Sequence, residues 1–135
     1  MPRLTVVAVR AALVHLAIGA TFGALILWDK GMPLSPHLRG LLPTHRELLL
    51  VGWMIQLAMG VAYWILPRFS EGEPRGRPAI AWASVLALNF GLHLTAWHRF
   101  LGLPPESVAV GRLLELAAAV LFAAHAWPRV RAFGT

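Results

Sequence analysis

Side chains able to ligate a metal, bind a ligand or move a proton are scarce in this sequence, and most of them sit inside apolar runs. His15, Gln56, Asn89, His93, Glu115 and His125 lie within such runs, and His45 and His98 lie near their ends. A polar or ionisable group surrounded by hydrocarbon is costly, so each is a functional candidate. Cysteine is absent, which excludes disulfides, iron–sulfur clusters, thiolate zinc sites, covalently attached haem and thiol redox chemistry. A metal or cofactor must therefore be held by imidazole, carboxylate, thioether or packing.

The run after His45 carries the most information. His45, Gly52, Gln56, Met59 or Gly60, and Tyr63 recur at helical spacing and fall on one face. That face has an imidazole at one end, two glycines that permit close approach, and an amide in the middle. A flat macrocycle laid against a helix needs such a surface: one axial ligand, and small residues where the ring edge lies. A close helix–helix seam uses the same glycines, and the spacing suits both.

Trp82, Asn89, His93 and Trp97 share a face of the next apolar run. His93 and His98 are expected at a depth similar to His45, so His45 with His93 or His98 could ligate one haem iron from both sides. His98, beside Arg99, also reads as an ordinary interfacial histidine. His15 and His125 read as hydrogen-bonded core histidines or as a second pair. Gly19 and Gly23 form a Gly-x-x-x-Gly motif suited to helix contact. Arg112 and Glu115, three apart, can neutralise each other on one helix face, and Glu115 is also a candidate proton carrier.

The elements that must position these groups are set by composition. Of the 135 residues 58% are hydrophobic and 13% charged, where a soluble domain carries roughly 25% charged residues. Mean hydropathy is +0.65. Such a chain must place most of its surface in lipid. Four spans are expected, at about 6–28, 48–66, 79–97 and 107–127, each near the roughly 20 residues that cross a bilayer. The first span reads as retained, not as a cleaved leader. Residues 1–135 then form a single transmembrane domain: an all-α integral membrane four-helix bundle, up-down-up-down. The stretch from Asp29 to Arg46, with Pro33, Pro36 and Pro43, reads as a long loop. Trp28, Trp64, Trp82, Trp97 and Trp127 fall near span ends, as an aromatic belt requires.

The net charge of +6 resides mainly between and beside the spans. Arg3, Arg10, Arg68, Arg75, Arg77, Arg129 and Arg131 fall on one side; Lys30, Arg39, Arg46, Arg99 and Arg112 fall on the other. The excess favours N-in/C-in orientation in a cell (inner or plasma) membrane, multi-pass. No basic cluster is interleaved with stacking aromatics, so nucleic acid is not an expected partner.

The stretch HRELLLVGWMIQLAMGVAYWILPRF, residues 45–69, resembles the second helix of haem–copper oxidase subunit I, closest to the nitric oxide reductase and cbb3-type branches. The resemblance implies that His45 is a low-spin haem ligand, with Gly52, Gln56 and Gly60 along the haem-facing helix. Subunit I has many more spans, and its catalytic centre needs an adjacent histidine pair that this chain lacks. No catalytic residue is expected, and oxygen or nitric oxide reduction by this chain alone is not expected. A membrane cytochrome carrying haem b is expected, with His45 and His93 as metal ligands and His98 as the other candidate. It would exchange electrons with quinol or a cytochrome, as a homo-oligomer or beside a larger respiratory oxidase subunit. The other reading is a cofactor-free accessory subunit of such a complex.

Overall fold

The computed structural model describes residues 1–130; Arg131, counted above among the positive charges, lies outside the described residues. The described chain is all-α and contains four helices long and apolar enough to cross a membrane: Arg3–Gly31, Leu38–Ile65, Pro78–Trp97 and Glu106–Arg129. They are called here the first to fourth spans. Large apolar side chains such as Leu13, Val14, Phe90, Leu113, Leu116 and Val120 are exposed on their outer faces. Trp28, Trp64 and Trp127 are exposed at span ends, where an aromatic belt places its rings.

The first connection is shorter than expected, because the second span begins at Leu38 and not near Leu48. A 3-10 turn over Leu38–Leu41 leads into an α-helical turn, Leu42–Glu47. Pro43 stands in the first turn of that helix, where a missing N–H costs nothing. It therefore starts the helix, and His45 lies within it. The Asp29 carboxylate folds the remaining connection back on the first span, accepting the N–H groups of Leu34 and Ser35 at 2.8 and 3.0 Å.

The second span is irregular at its centre. Leu48–Ile55 is wound as a π-helix, and regular α-helix resumes over Gln56–Ile65. π-turns are rare and concentrate at functional sites. The span ends where Leu66, ahead of Pro67, turns extended (ψ 145°), as the residue before a proline prefers.

Glycines fix how the spans meet. A Cβ on Gly60 would lie 3.0 Å from the Ala8 side chain, and one on Gly52 would lie 2.8 Å from the His15 ring. Gly19 lies under Leu48 and Leu49, and Gly23 under His45. Contact positions rise along the first span as they fall along the second, so the two run in opposite senses. The third and fourth spans cross as closely: a Cβ on Gly91 would lie 2.6 Å from the Gly111 carbonyl, and Gly111 abuts Thr95. Leu4, Ala8, Met59, Tyr63, Ala81, Val85, Leu88 and Ala118 form the apolar core among the four spans.

Candidate functional site

His45 owes its setting to the Gly-x-x-x-Gly motif of the first span. Gly23 has no side chain to collide with the imidazole: a Cβ there would stand 2.6 Å from His45 Cε1. Gly19, one turn away, supplies its carbonyl, 2.7 Å from His45 Nδ1. A carbonyl can only accept, so Nδ1 carries the proton, and in the neutral ring Nε2 keeps its lone pair. Histidines that ligate metals are held by this same kind of bond through their other nitrogen. The half-buried ring lines an open cleft of about 350 Å3 with Gly23, Ile26, Leu27, Lys30 and Leu42.

A second histidine repeats the arrangement in the reverse direction. His15 of the first span packs on Gly52 of the second and lies with Nδ1 3.1 Å from the Gly52 carbonyl. Gly52 belongs to the π-wound stretch, where the Gln56 N–H lies on the carbonyls of Val51 and Trp53. The slackened ladder leaves room for a side-chain donor. His15 is thus the hydrogen-bonded core histidine that the sequence suggests, but its ring neighbour is His93, with centroids 5.3 Å apart in an edge-on contact. His125 instead stacks on Tyr63 at 5.6 Å.

The three imidazoles considered as haem ligands occupy three settings. His45 lies over the first span. His93, exposed beside His15, accepts a hydrogen bond at Nδ1 from the Trp97 indole at 3.1 Å. His98 donates from Nδ1 to the Thr95 carbonyl at 2.8 Å and lines another cleft with Glu47 and Arg112. Among the described residues no three His, Asp or Glu side chains are grouped to share a metal ion. Gly52 and Gly60 both serve the contact with the first span. Gln56 is fully buried, and neither of its side-chain polar atoms has a hydrogen-bond partner.

Family models, curated proteins and solved structures were compared with the chain. None matches.

Two features escaped the sequence reading. Glu47, nearly buried, receives both terminal nitrogens of Arg112 at 2.8 and 2.6 Å. Arg112 also holds Glu115 at 2.7 Å, so the expected pair on the fourth span is present but shared. Arg129, counted above among the positive charges of one side, is buried at 1% exposure. It donates to the carbonyls of Tyr63, Leu66 and Pro67 at 3.0, 2.8 and 3.1 Å, and its guanidinium lies over the Tyr63 ring at 5.5 Å. The free carbonyls at a helix C-terminus favour such a cation. The only sequence signal for it is an arginine following Pro128 next to a span end.

Proposed function

We propose that this chain is a multi-pass protein of a cell membrane that binds haem b and serves respiratory electron transfer or haem binding, with an up-down-up-down course and both termini on the cytoplasmic side. The observation that carries the reading is the bond from His45 Nδ1 to the Gly19 carbonyl. It orients the imidazole and leaves Nε2 as a neutral ligand. The neighbouring cleft suits one edge of a macrocycle: apolar walls from Ile26, Leu27 and Leu42, no side chain at Gly23, and the Lys30 ammonium for a propionate. When bound there, haem would supply one-electron transfer. The second axial ligand would come from His93, from His98, from the His45 of a second copy or from a larger respiratory subunit.

A cofactor-free accessory subunit is the second reading, favoured by one observation. His15 makes the same bond to Gly52, so a histidine on a glycine can serve to lock two spans with no cofactor at all.

Visible spectra of the detergent-purified protein, oxidised and dithionite-reduced, with a pyridine haemochrome assay on the same sample, decide between the readings. A sharp b-type band that disappears in His45→Ala supports the cytochrome. A protein that stays colourless after reconstitution with haem overturns it, and leaves co-purification with a large oxidase subunit as the test of the second reading.

A further inference from the structure

The end of the second span opposite His45 is surrounded by cations that no carboxylate neutralises. The loop from there to the third span turns at Gly76, which has the left-handed φ of 73° that glycine adopts freely. Its N–H donates to the Glu73 carbonyl at 2.9 Å, and a Cβ on it would stand 3.5 Å from His125 Cε1. The loop therefore rests on His125 of the fourth span, with Arg75 and Arg77 on either side of the contact. Arg75 is close enough to Arg129 for their like charges to repel. Among the described residues no ion pair reaches Arg75, Arg77 or Arg129; the ion pairs present belong to Arg39 and Arg112.

Burial makes this surplus costly. The three carbonyls that Arg129 reaches leave its other terminal nitrogen, Nη1, buried without a partner. Arg75 Nε and His125 Nε2 are likewise buried and unpartnered. Carbonyl dipoles soften a guanidinium charge but do not cancel it, and an unneutralised ion in a setting of low dielectric is expensive. Beside these groups lies an open cleft of about 310 Å3. His125, buried, and Arg77, exposed, both line it, and Ile80, Ala124 and Pro128 give it apolar walls. Arg77 is also the N-cap of the third span, which has no side-chain cap and no acidic residue in its first turn. Through Ile80, in that first turn, the positive pole of a 20-residue helix opens on the same cleft.

The charges and the walls say what fits. Glu71 and Glu73 of the loop are exposed and pair with none of these arginines, so the cleft favours an anion. Its walls are apolar, and it lies at the span ends where Trp64 and Trp127 are exposed, the level of lipid headgroups. A free phosphate needs no apolar wall, whereas a lipid brings phosphate and hydrocarbon together, and basic pockets between spans hold such headgroups. We propose that the cleft binds the phosphate of an anionic phospholipid, with Arg77 donating to its oxygens, the charges of Arg75 and Arg129 behind it, and the glycerol backbone against Ile80 and Ala124. The site is separate from the His45 cleft and does not depend on haem.

The test is native mass spectrometry of the full chain in mild detergent, titrated with phosphatidylglycerol or with phosphatidylcholine. One phosphatidylglycerol should be retained in preference to phosphatidylcholine, whose choline ammonium would face the arginines. Arg77→Gln, on an exposed side chain, should lower that preference about tenfold, the scale of one lost charge-assisted hydrogen bond, and Arg75→Gln should lower it less. Arg99→Gln removes the same charge at the other end of the bundle and should leave it unchanged. Independently of any variant, a phosphatidylglycerol with a photoactivatable headgroup should label residues 69–80 and 124–128. Equal retention of the two lipids, an equal loss in Arg99→Gln, labelling confined to other segments, or displacement by millimolar inorganic phosphate would each overturn the proposal. None of these readouts uses haem absorbance, so a colourless protein that still selects phosphatidylglycerol refutes the cytochrome reading alone.

Discussion

His45 lies with Nδ1 2.7 Å from the carbonyl of Gly19, and His15, in the opposite direction, lies with Nδ1 3.1 Å from the carbonyl of Gly52. Each histidine crosses from one span to the other and rests on a glycine of its partner: His45 on Gly23, His15 on Gly52. Two reciprocal side-chain bonds set the register of an antiparallel helix pair. In lipid, where apolar side chains gain little from each other, such polar contacts and close glycine approaches drive helix association. In both rings the carbonyl partner fixes the proton on Nδ1.

Adding a methyl group where the rings rest should break this register. A Cβ at position 52 would meet His15 Cγ at 2.8 Å, and one at 23 would meet His45 Cε1 at 2.6 Å. Gly52→Ala and Gly23→Ala should each cost about 1–3 kcal/mol through overpacking. Position 52 should suffer more, because His15 is buried while the half-exposed His45 can swing outward. Gly40→Ala, with nothing within 4 Å of its would-be Cβ, should be neutral. Thermal unfolding in one detergent ranks the three, and equal melting temperatures would sink the account.

The two histidines should separate when haem is the readout. On the proposed function, His45→Ala is expected to abolish haem binding, while His15→Ala should keep any b-type band and lose about 1–3 kcal/mol by leaving a buried cavity and an unpaired carbonyl. Loss of the band in both, with both still monodisperse on size exclusion, would mean that the ring site needs the helix register as much as the ligand.

Much of the frame was legible because it depends on local pattern. Four apolar runs, tryptophans at their ends and an arginine three residues before a glutamate need no knowledge of neighbours. Gly19 and Gly23 likewise announced a helix contact. What they receive was hidden, since no spacing within either run says that the His45 imidazole fills Gly23. Pro43 reads as a breaker in sequence, yet it is harmless in a first helical turn. Glu47 has no signal of its own, because its partner Arg112 lies 65 residues further along the chain. Arg129 was miscast because charge counting treats every arginine near a span end alike, while the groups that bury this one are carbonyls more than 60 residues earlier in the chain. The meeting of His15 with His93 joins the first span to the third and has no signal in spacing at all.

The Glu47–Arg112–Glu115 cluster should respond to substitution in a fixed order. Glu115→Gln leaves Arg112 bidentate on Glu47 and should be the mildest. Glu47→Gln removes the bidentate partner but keeps one charge against one. Arg112→Leu leaves two carboxylates, both nearly buried, with no cation, and should be the worst. Leaving a buried charge unpaired costs about 3–5 kcal/mol; the half-exposed guanidinium brings the expected loss for Arg112→Leu towards the lower end. Melting temperatures in detergent test the order. Arg112→Leu milder than Glu47→Gln would show that the carboxylates find another partner or are neutral.

Arg129 should be irreplaceable by lysine. Its guanidinium reaches three carbonyls, those of Tyr63, Leu66 and Pro67, from two of its nitrogens, Nε and one terminal nitrogen. Those carbonyls end the second span, where Pro67 halts the helix and no further N–H comes to satisfy them. Lysine keeps the charge, but its single ammonium lacks the flat fork that spans the three acceptors and lies over the Tyr63 ring. Arg129→Lys is therefore expected to lose about 1–3 kcal/mol, the range for leaving buried polar groups unpaired, and Arg129→Ala at least as much. The loss should be local as well as global. Amide exchange should quicken in residues 63–69, the end that Arg129 closes, while residues 42–47 at the far end of the same span stay protected. Uniform exchange along the whole span in Arg129→Lys would mean that the arginine supports the bundle generally and is not the closure of this one helix.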